Sequence, residues 1–149
     1  MVEAEVQRLY DTMIDAWNRR DAAGMAWAFA TDGSLVGFDG SQVNGSKNIE
    51  AHLTPIFTNH PTPHFVTLTR EVRSLGNGTV ILRADVGMIQ QGKTEINPAL
   101  NAVQSLVAIR RDGRWQVALL QNTPAAFHGR PQDVEKFTAD LRGAALKQK

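Results

Sequence analysis

The stretch 104–123, QSLVAIRRDGRWQVALLQNT, constrains this chain more than any other. Two runs rich in strand formers flank Asp112 and Gly113, and an Asp-Gly pair supplies the positive φ angles that both central residues of a type I′ turn require. A two-residue turn sets Arg111 opposite Arg114. That register places Leu106, Ala108, Val117, Leu119 and Trp115 on one face, with Gln104 opposite Gln121 on the same face. Ser105, Val107, Ile109, Ala118 and Leu120 form the second face, also mostly apolar, so the hairpin is expected to be covered on both sides.

The chain has 149 residues, of which 42% are hydrophobic. It is expected to form one domain, 1–149. With 16 basic and 15 acidic residues interspersed and a net charge of +1, nothing directs it to nucleic acid or to an anionic membrane surface. It contains no cysteine, so disulfides and thiolate chemistry are excluded. The opening MVEAEVQRLYDTM carries acidic residues where a signal peptide needs basic ones, and no apolar run reaches membrane-spanning length. A cytoplasmic protein is expected.

Val2, Val6, Leu9, Met13, Ile14 and Trp17 recur at helical spacing and define a first helix with one buried face. Asp21 is expected to cap a short second helix carrying Met25, Trp27 and Phe29 and ended by Thr31, Asp32 and Gly33. Short strands 34–38 and 42–44 follow, then a third helix from Ser46 to Phe57 with Ile49, Leu53, Ile56 and Phe57 on one side and His52 on its flank. Pro61 and Pro63 break it. Two long strands, 64–75 and 79–91, enclose the turn pair Asn77 and Gly78. In the simplest register Thr67, Thr69 and Leu75 face Met88, Val86 and Val80, while Arg70 faces Asp85 and Val72 faces Arg83. Pro131 is suited to open a terminal helix running to about Leu146. Helices segregated to one face of a bent antiparallel sheet enclose a cavity unless large side chains fill it.

The segment AWNRRDAAGMAWAFATDGSLVGFDGSQVNGSKNIEAHLTPIF resembles the opening of the NTF2-like cone folds of the SnoaL-like group, and VRSLGNGTVILRADV and LVAIRRDGRWQVALLQNTP resemble the rest of that pattern. The similarity runs from about Val2 to Gly129. Its nearest branch is the SgcJ/EcaC type found with enediyne biosynthesis genes. The resemblance implies an α+β cone: a curved antiparallel sheet with N-terminal helices on its concave face. It also implies a cofactor-free domain that takes a small, largely apolar polyketide or enediyne-type metabolite, as isomerase, cyclase, hydrolase, dehydratase or plain binder.

Ketosteroid isomerase, an enzyme of this fold, needs a carboxylate base and an oxyanion hole of a tyrosine and a protonated acid. Alignment puts Met13, Gly37 and Gln104 at those positions, so that chemistry is excluded; Tyr10, about a turn from Met13, and Asp39 are the nearest substitutes.

The catalytic candidates are therefore His52, whose imidazole suits acid or base work, and Asp39, which could equally close an Asx turn. Trp17, Phe38, His52, Ile56, Gln104 and Gln121 are the expected pocket residues. The two glutamines either satisfy each other or face a ligand, since buried amides must be hydrogen-bonded. Trp17, Trp27, Phe38 and Trp115 read first as core residues, with Trp17 and Phe38 the two that could line the cavity instead. Arg70 with Asp85 reads as an ordinary ion pair. His60 and His64 lack an identifiable third ligand, so no metal is expected. A homodimer through the apolar convex face is expected, and the competing reading lays Val134, Phe137 and Leu141 of the terminal helix over that face.

Overall fold

The computed structural model describes residues 1–148. Helix α1 spans Val2–Asn18, α2 Ala22–Trp27, α3 Ser46–Asn59 and α4 Pro131–Lys147. The strands are β1 Phe29–Val36, β2 Gln42–Asn44, β3 His64–Gly76, β4 Thr79–Ile89, β5 Ala102–Arg111 and β6 Arg114–Pro124. They form one curved, open sheet in the order β2-β1-β6-β5-β4-β3, giving an α+β fold. Every neighbouring pair is antiparallel except β1 with β6, which is parallel.

Local chemistry accounts for the elements. The Asp21 carboxylate accepts from the Gly24 amide at 2.9 Å and caps α2. Asn77 and Asp112 both hold positive φ ahead of Gly78 and Gly113, which closes the two long hairpins. Val6, Tyr10, Met13 and Ile14 of α1, Met25 of α2, and Ile49, Leu53 and Phe57 of α3 bury against Val80, Leu82, Leu106 and Leu120 of the sheet. These helices therefore sit on the concave face. Roughly 25 cal/mol per Å² of buried apolar surface makes this layer the main source of stability.

Helix α4 lies on the opposite face. Phe137 and Leu141 pack on Val66 and Ile96, with Leu68, Ile89 and Val103 around them. A Cβ on Gly87 would come within 3.1 Å of Leu141, so the missing side chain lets the helix approach. Val107, Ile109 and Leu119 belong to neither the α4 cluster nor the main core and are half-buried. The helix thus covers one end of the convex face and leaves the β5–β6 end open.

The structure corrects several expectations. Residues 31–33 do not end α2; they run inside β1, and Phe29 is a buried strand residue rather than a helical one. A Cβ on Gly33 would meet the Val117 carbonyl oxygen at 2.5 Å, which explains why glycine stands where β1 presses on β6. Trp27 is 70% exposed, with the Arg114 guanidinium over its ring at 4.2 Å, so it is not core.

Both hairpin registers also differ. One extra residue, Ala118, shifts β6 against β5, so that Gln104 faces Asn122 while Gln121 faces Ser105. Leu120 then turns into the core and Leu119 away from it. In the first hairpin, extra residues at Arg70 and Leu75 move Phe65 opposite Met88, Val72 opposite Leu82 and Glu71 opposite Arg83. A one-residue bulge moves every later side chain to the other face.

Candidate functional site

Between the N-terminal helices and the concave face lies a cavity of about 420 Å³. Its walls are apolar: Trp17 of α1, Met25 of α2, Leu53 and Ile56 of α3, and Leu35, Phe65, Met88 and Leu120 of the sheet. Gln104 and Asn122 add polar groups from the sheet, and Asp39, Ser41 and His52 add others from the β1–β2 turn and α3.

Each side chain is placed by its element. Trp17 stacks on Phe65 with ring centroids 4.6 Å apart, meets Phe57 edge-on at 5.2 Å, and donates its indole N–H to the Pro63 carbonyl at 2.9 Å. That anchor fixes one wall. Phe38 stands in the β1–β2 turn and Ile56 on the inner side of α3, both half-buried.

Gln104 is 1% exposed and sits in a directed chain of hydrogen bonds. The Tyr10 hydroxyl donates to its Oε1 at 2.6 Å. Gln104 Nε2 donates to Asn122 Oδ1 at 2.8 Å, and Asn122 Nδ2 donates to the Val36 carbonyl at 2.9 Å. Tyr10 is fully buried, and burial, aided by the charges of Asp11 and Asp85, pushes its phenol far above the ordinary range, so it remains protonated.

His52 is half-buried, and Asp39 is exposed beside the same opening. The Asp39 carboxylate accepts from the Ser41 amide at 2.9 Å, closing an Asx turn. That Ser41 contact holds its carboxyl below the usual range, and the nearby His52 adds a smaller effect of the same sign. A general base works best with a pKa near the operating pH. Asp39 is better suited to shaping the turn and supplying negative charge beside His52 than to abstracting a proton.

Of the expected pocket residues, Trp17, Phe38, His52, Ile56 and Gln104 come together around the cavity. Gln121 does not: it is exposed and turned away by the Ala118 bulge. Asn122 stands in its place. Sequence reading missed Asn122 because a bulge carries no compositional signal, and it placed Tyr10 only as a near neighbour of a lost position.

Two other features lie apart. Arg70 donates to Asp85 at 2.7 Å and to Asp140 of α4 at 2.8 Å, in a trough of about 840 Å³ between α1, β3 and α4. The trough is larger than the cavity but shallow, Arg70, Lys136 and Asp140 are already paired within it, and it lacks the enclosing apolar walls of a small-molecule site. His60 and His64 are both exposed, and among the described residues no group of three acidic or histidine side chains is placed to hold a metal ion. No described helix is long and apolar enough to cross a membrane.

Comparison with known proteins agrees with this architecture. The sequence model of the SnoaL-like domain matches residues 6–122. No curated protein matches the chain. Among solved structures, a domain of unknown function with a cystatin-like fold from Nostoc punctiforme superposes with a TM-score of 0.80 at 24% identity, over 99% of this chain and 97% of that one. A protein from Thiobacillus denitrificans, named for the calcium/calmodulin-dependent protein kinase type II association domain, gives 0.70 at 16% identity over 79% and 93% of the two chains. An NTF-2 like protein of unknown function from Shewanella oneidensis gives 0.69 at 16% identity over 83% and 99%. At these identities the likeness is one of fold, the NTF2-like cone.

Proposed function

This chain belongs to the SnoaL-like domain family, and on that premise we propose that it binds a small, largely apolar metabolite in the cavity on its concave face. The family comprises ligand-binding and cofactor-free catalytic domains. One observation carries the reading: about 420 Å³ of space remains between helices and sheet, walled by apolar side chains, with polar groups confined to Gln104 with Asn122 and to the turn near His52. A space of that size suits a ligand of one to three fused rings. A polyketide or enediyne-type intermediate fits this description, and the sequence resemblance to the SgcJ/EcaC branch is what suggests that class.

In this reading Trp17, Phe38 and Ile56 supply shape, Gln104 fixes polarity, and His52 is the acid or base of any chemistry, an isomerisation, cyclisation, hydrolysis or dehydration that needs no cofactor. Titration with the uncharged fluorophore N-phenylnaphthylamine tests it. Saturable binding at one site per chain, abolished in an Ile56→Trp variant that fills the cavity, is the expected outcome. Binding that survives the filled cavity would place the ligand elsewhere.

A second reading, an association module, rests on the open end of the convex face, where Val107, Ile109 and Leu119 remain half-buried outside the α4 cluster. A two-fold pairing of these patches would cover them. A structural relative is named as an association domain, and the two readings are compatible because the faces are opposite.

A further inference from the structure

We infer that the cavity floor recognises a carbonyl oxygen, because every hydrogen bond along the row Tyr10, Gln104, Asn122 and Val36 runs in one direction, so that each amide oxygen is turned to a partner within the row while each amide nitrogen keeps one hydrogen without a partner. The inference rests on the ligand-binding reading above and names the polar group of that ligand.

The direction follows from its anchored end. The Val36 carbonyl can only accept, so the Asn122 atom facing it at 2.9 Å must be the amide nitrogen. The Asn122 oxygen is thereby turned toward Gln104, so the Gln104 atom 2.8 Å away must be its nitrogen. The Gln104 oxygen is left facing Tyr10 at 2.6 Å, and the phenol, kept protonated by burial, must donate. Side-chain amides are ordinarily ambiguous because nitrogen and oxygen look alike. Here a backbone carbonyl fixes both amides and the hydroxyl.

Each amide nitrogen carries two hydrogens and the row uses one of each. Gln104 and Asn122 both line the cavity, whereas Tyr10 lies behind Gln104 and does not. The second hydrogens of Gln104 Nε2 and Asn122 Nδ2 are therefore the groups that a ligand can engage, while each oxygen already accepts one bond from its neighbour in the row. Tyr10 is a positioning residue: its hydroxyl holds the Gln104 oxygen out of the cavity. An acceptor such as a ketone, ester or quinone oxygen gains a donor there. A hydrocarbon of the same shape instead strands the donors, which costs affinity.

Two probes of the same size and planarity separate these cases: β-naphthyl methyl ketone and β-isopropenylnaphthalene, which differ only in C=O against C=CH2. The ketone is the better hydrated in water, so a featureless apolar cavity prefers the alkene. Calorimetric titration of the parent protein is expected to show the ketone bound about tenfold more tightly, the scale of one well-made hydrogen bond. In the double variant Tyr10→Phe/Gln104→Leu, which removes both partners of the buried bond and one of the two cavity donors, the ketone preference is expected to shrink several-fold, Asn122 Nδ2 being left to donate, while the alkene still binds. Retained alkene binding shows that the variant is folded. Equal or tighter alkene binding by the parent protein would overturn the carbonyl inference and leave the binding reading intact. Failure of both probes to bind would overturn the binding reading and the inference with it.

Discussion

The Tyr10 hydroxyl lies 2.6 Å from Oε1 of Gln104, joining the first helix to the fifth strand across ninety-four residues of sequence and behind the wall of the cavity. The bond ties the helix layer to the sheet at the point where the cavity acquires its polarity. A buried bond of this kind contributes modestly when made and costs more when half of it is lost. Tyr10→Phe leaves the Gln104 oxygen without its donor. It is expected to lower unfolding free energy by about 1–2 kcal/mol with the fold intact. Urea denaturation measures this, and an unchanged midpoint would mean that Gln104 finds another donor.

Gln121 and Asn122 differ in position by one bulge and should differ sharply on substitution. Gln121→Ala, on the exposed face, is expected to change stability by less than about 0.5 kcal/mol and to leave probe binding alone. Asn122→Ala removes the contact to Val36 and the partner of Gln104, at a cost of about 1–3 kcal/mol, and weakens ketone binding. Equal effects of the two substitutions would refute the shifted register.

His52→Ala is expected to keep stability within about 1 kcal/mol of the parent, the usual range for a half-buried side chain without a core role. If His52 is the acid or base, turnover of a substrate is lost while its binding persists. A well-folded variant with full turnover would end that role.

The Arg70 ion pairs set a pH dependence. The hydrogen bond from Arg70 to Asp140 holds that carboxyl below its ordinary value of 3.8, with the charge of Lys136 assisting. A depressed folded-state pKa contributes stability that is fully present above the unfolded value and disappears as pH falls through the folded one. The melting temperature should therefore be insensitive to this group near neutrality and fall below about pH 4. Asp140→Asn should flatten that acid limb, and an acid limb as steep as the parent's would show that other carboxylates set it.

Much of this fold was legible in the sequence because its signals are local. The apolar period of α1, the cap at Asp21, the turn pairs at Asn77 and Asp112, and Pro131 at the start of α4 each act within a few residues. The lining of the cavity was legible in part: Trp17, Phe38, His52, Ile56 and Gln104 line it, Gln121 does not, and Asn122 was missed. The bulge at Ala118 explains the difference. A single added residue in a strand satisfies the same hydrophobic pattern on either face when both faces are apolar, so only the packing of β6 against β1 and β5 selects the register. Trp27 was misjudged for a related reason, since α2 has six residues and is too short to display a period. The parallel β1–β6 contact depends on the return of the chain from far away and has no local signature.

The central claim is that a ligand enters the concave cavity and meets the amide pair at its floor. The most direct test follows the side-chain amide signals of Gln104 and Asn122 by nuclear magnetic resonance while β-naphthyl methyl ketone is added. Shifts in both amide groups and in the Trp17 indole, saturating at one equivalent, are the result this account predicts. Shifts that leave those three groups still and map instead to the outer trough around Arg70 and Asp140 would contradict it.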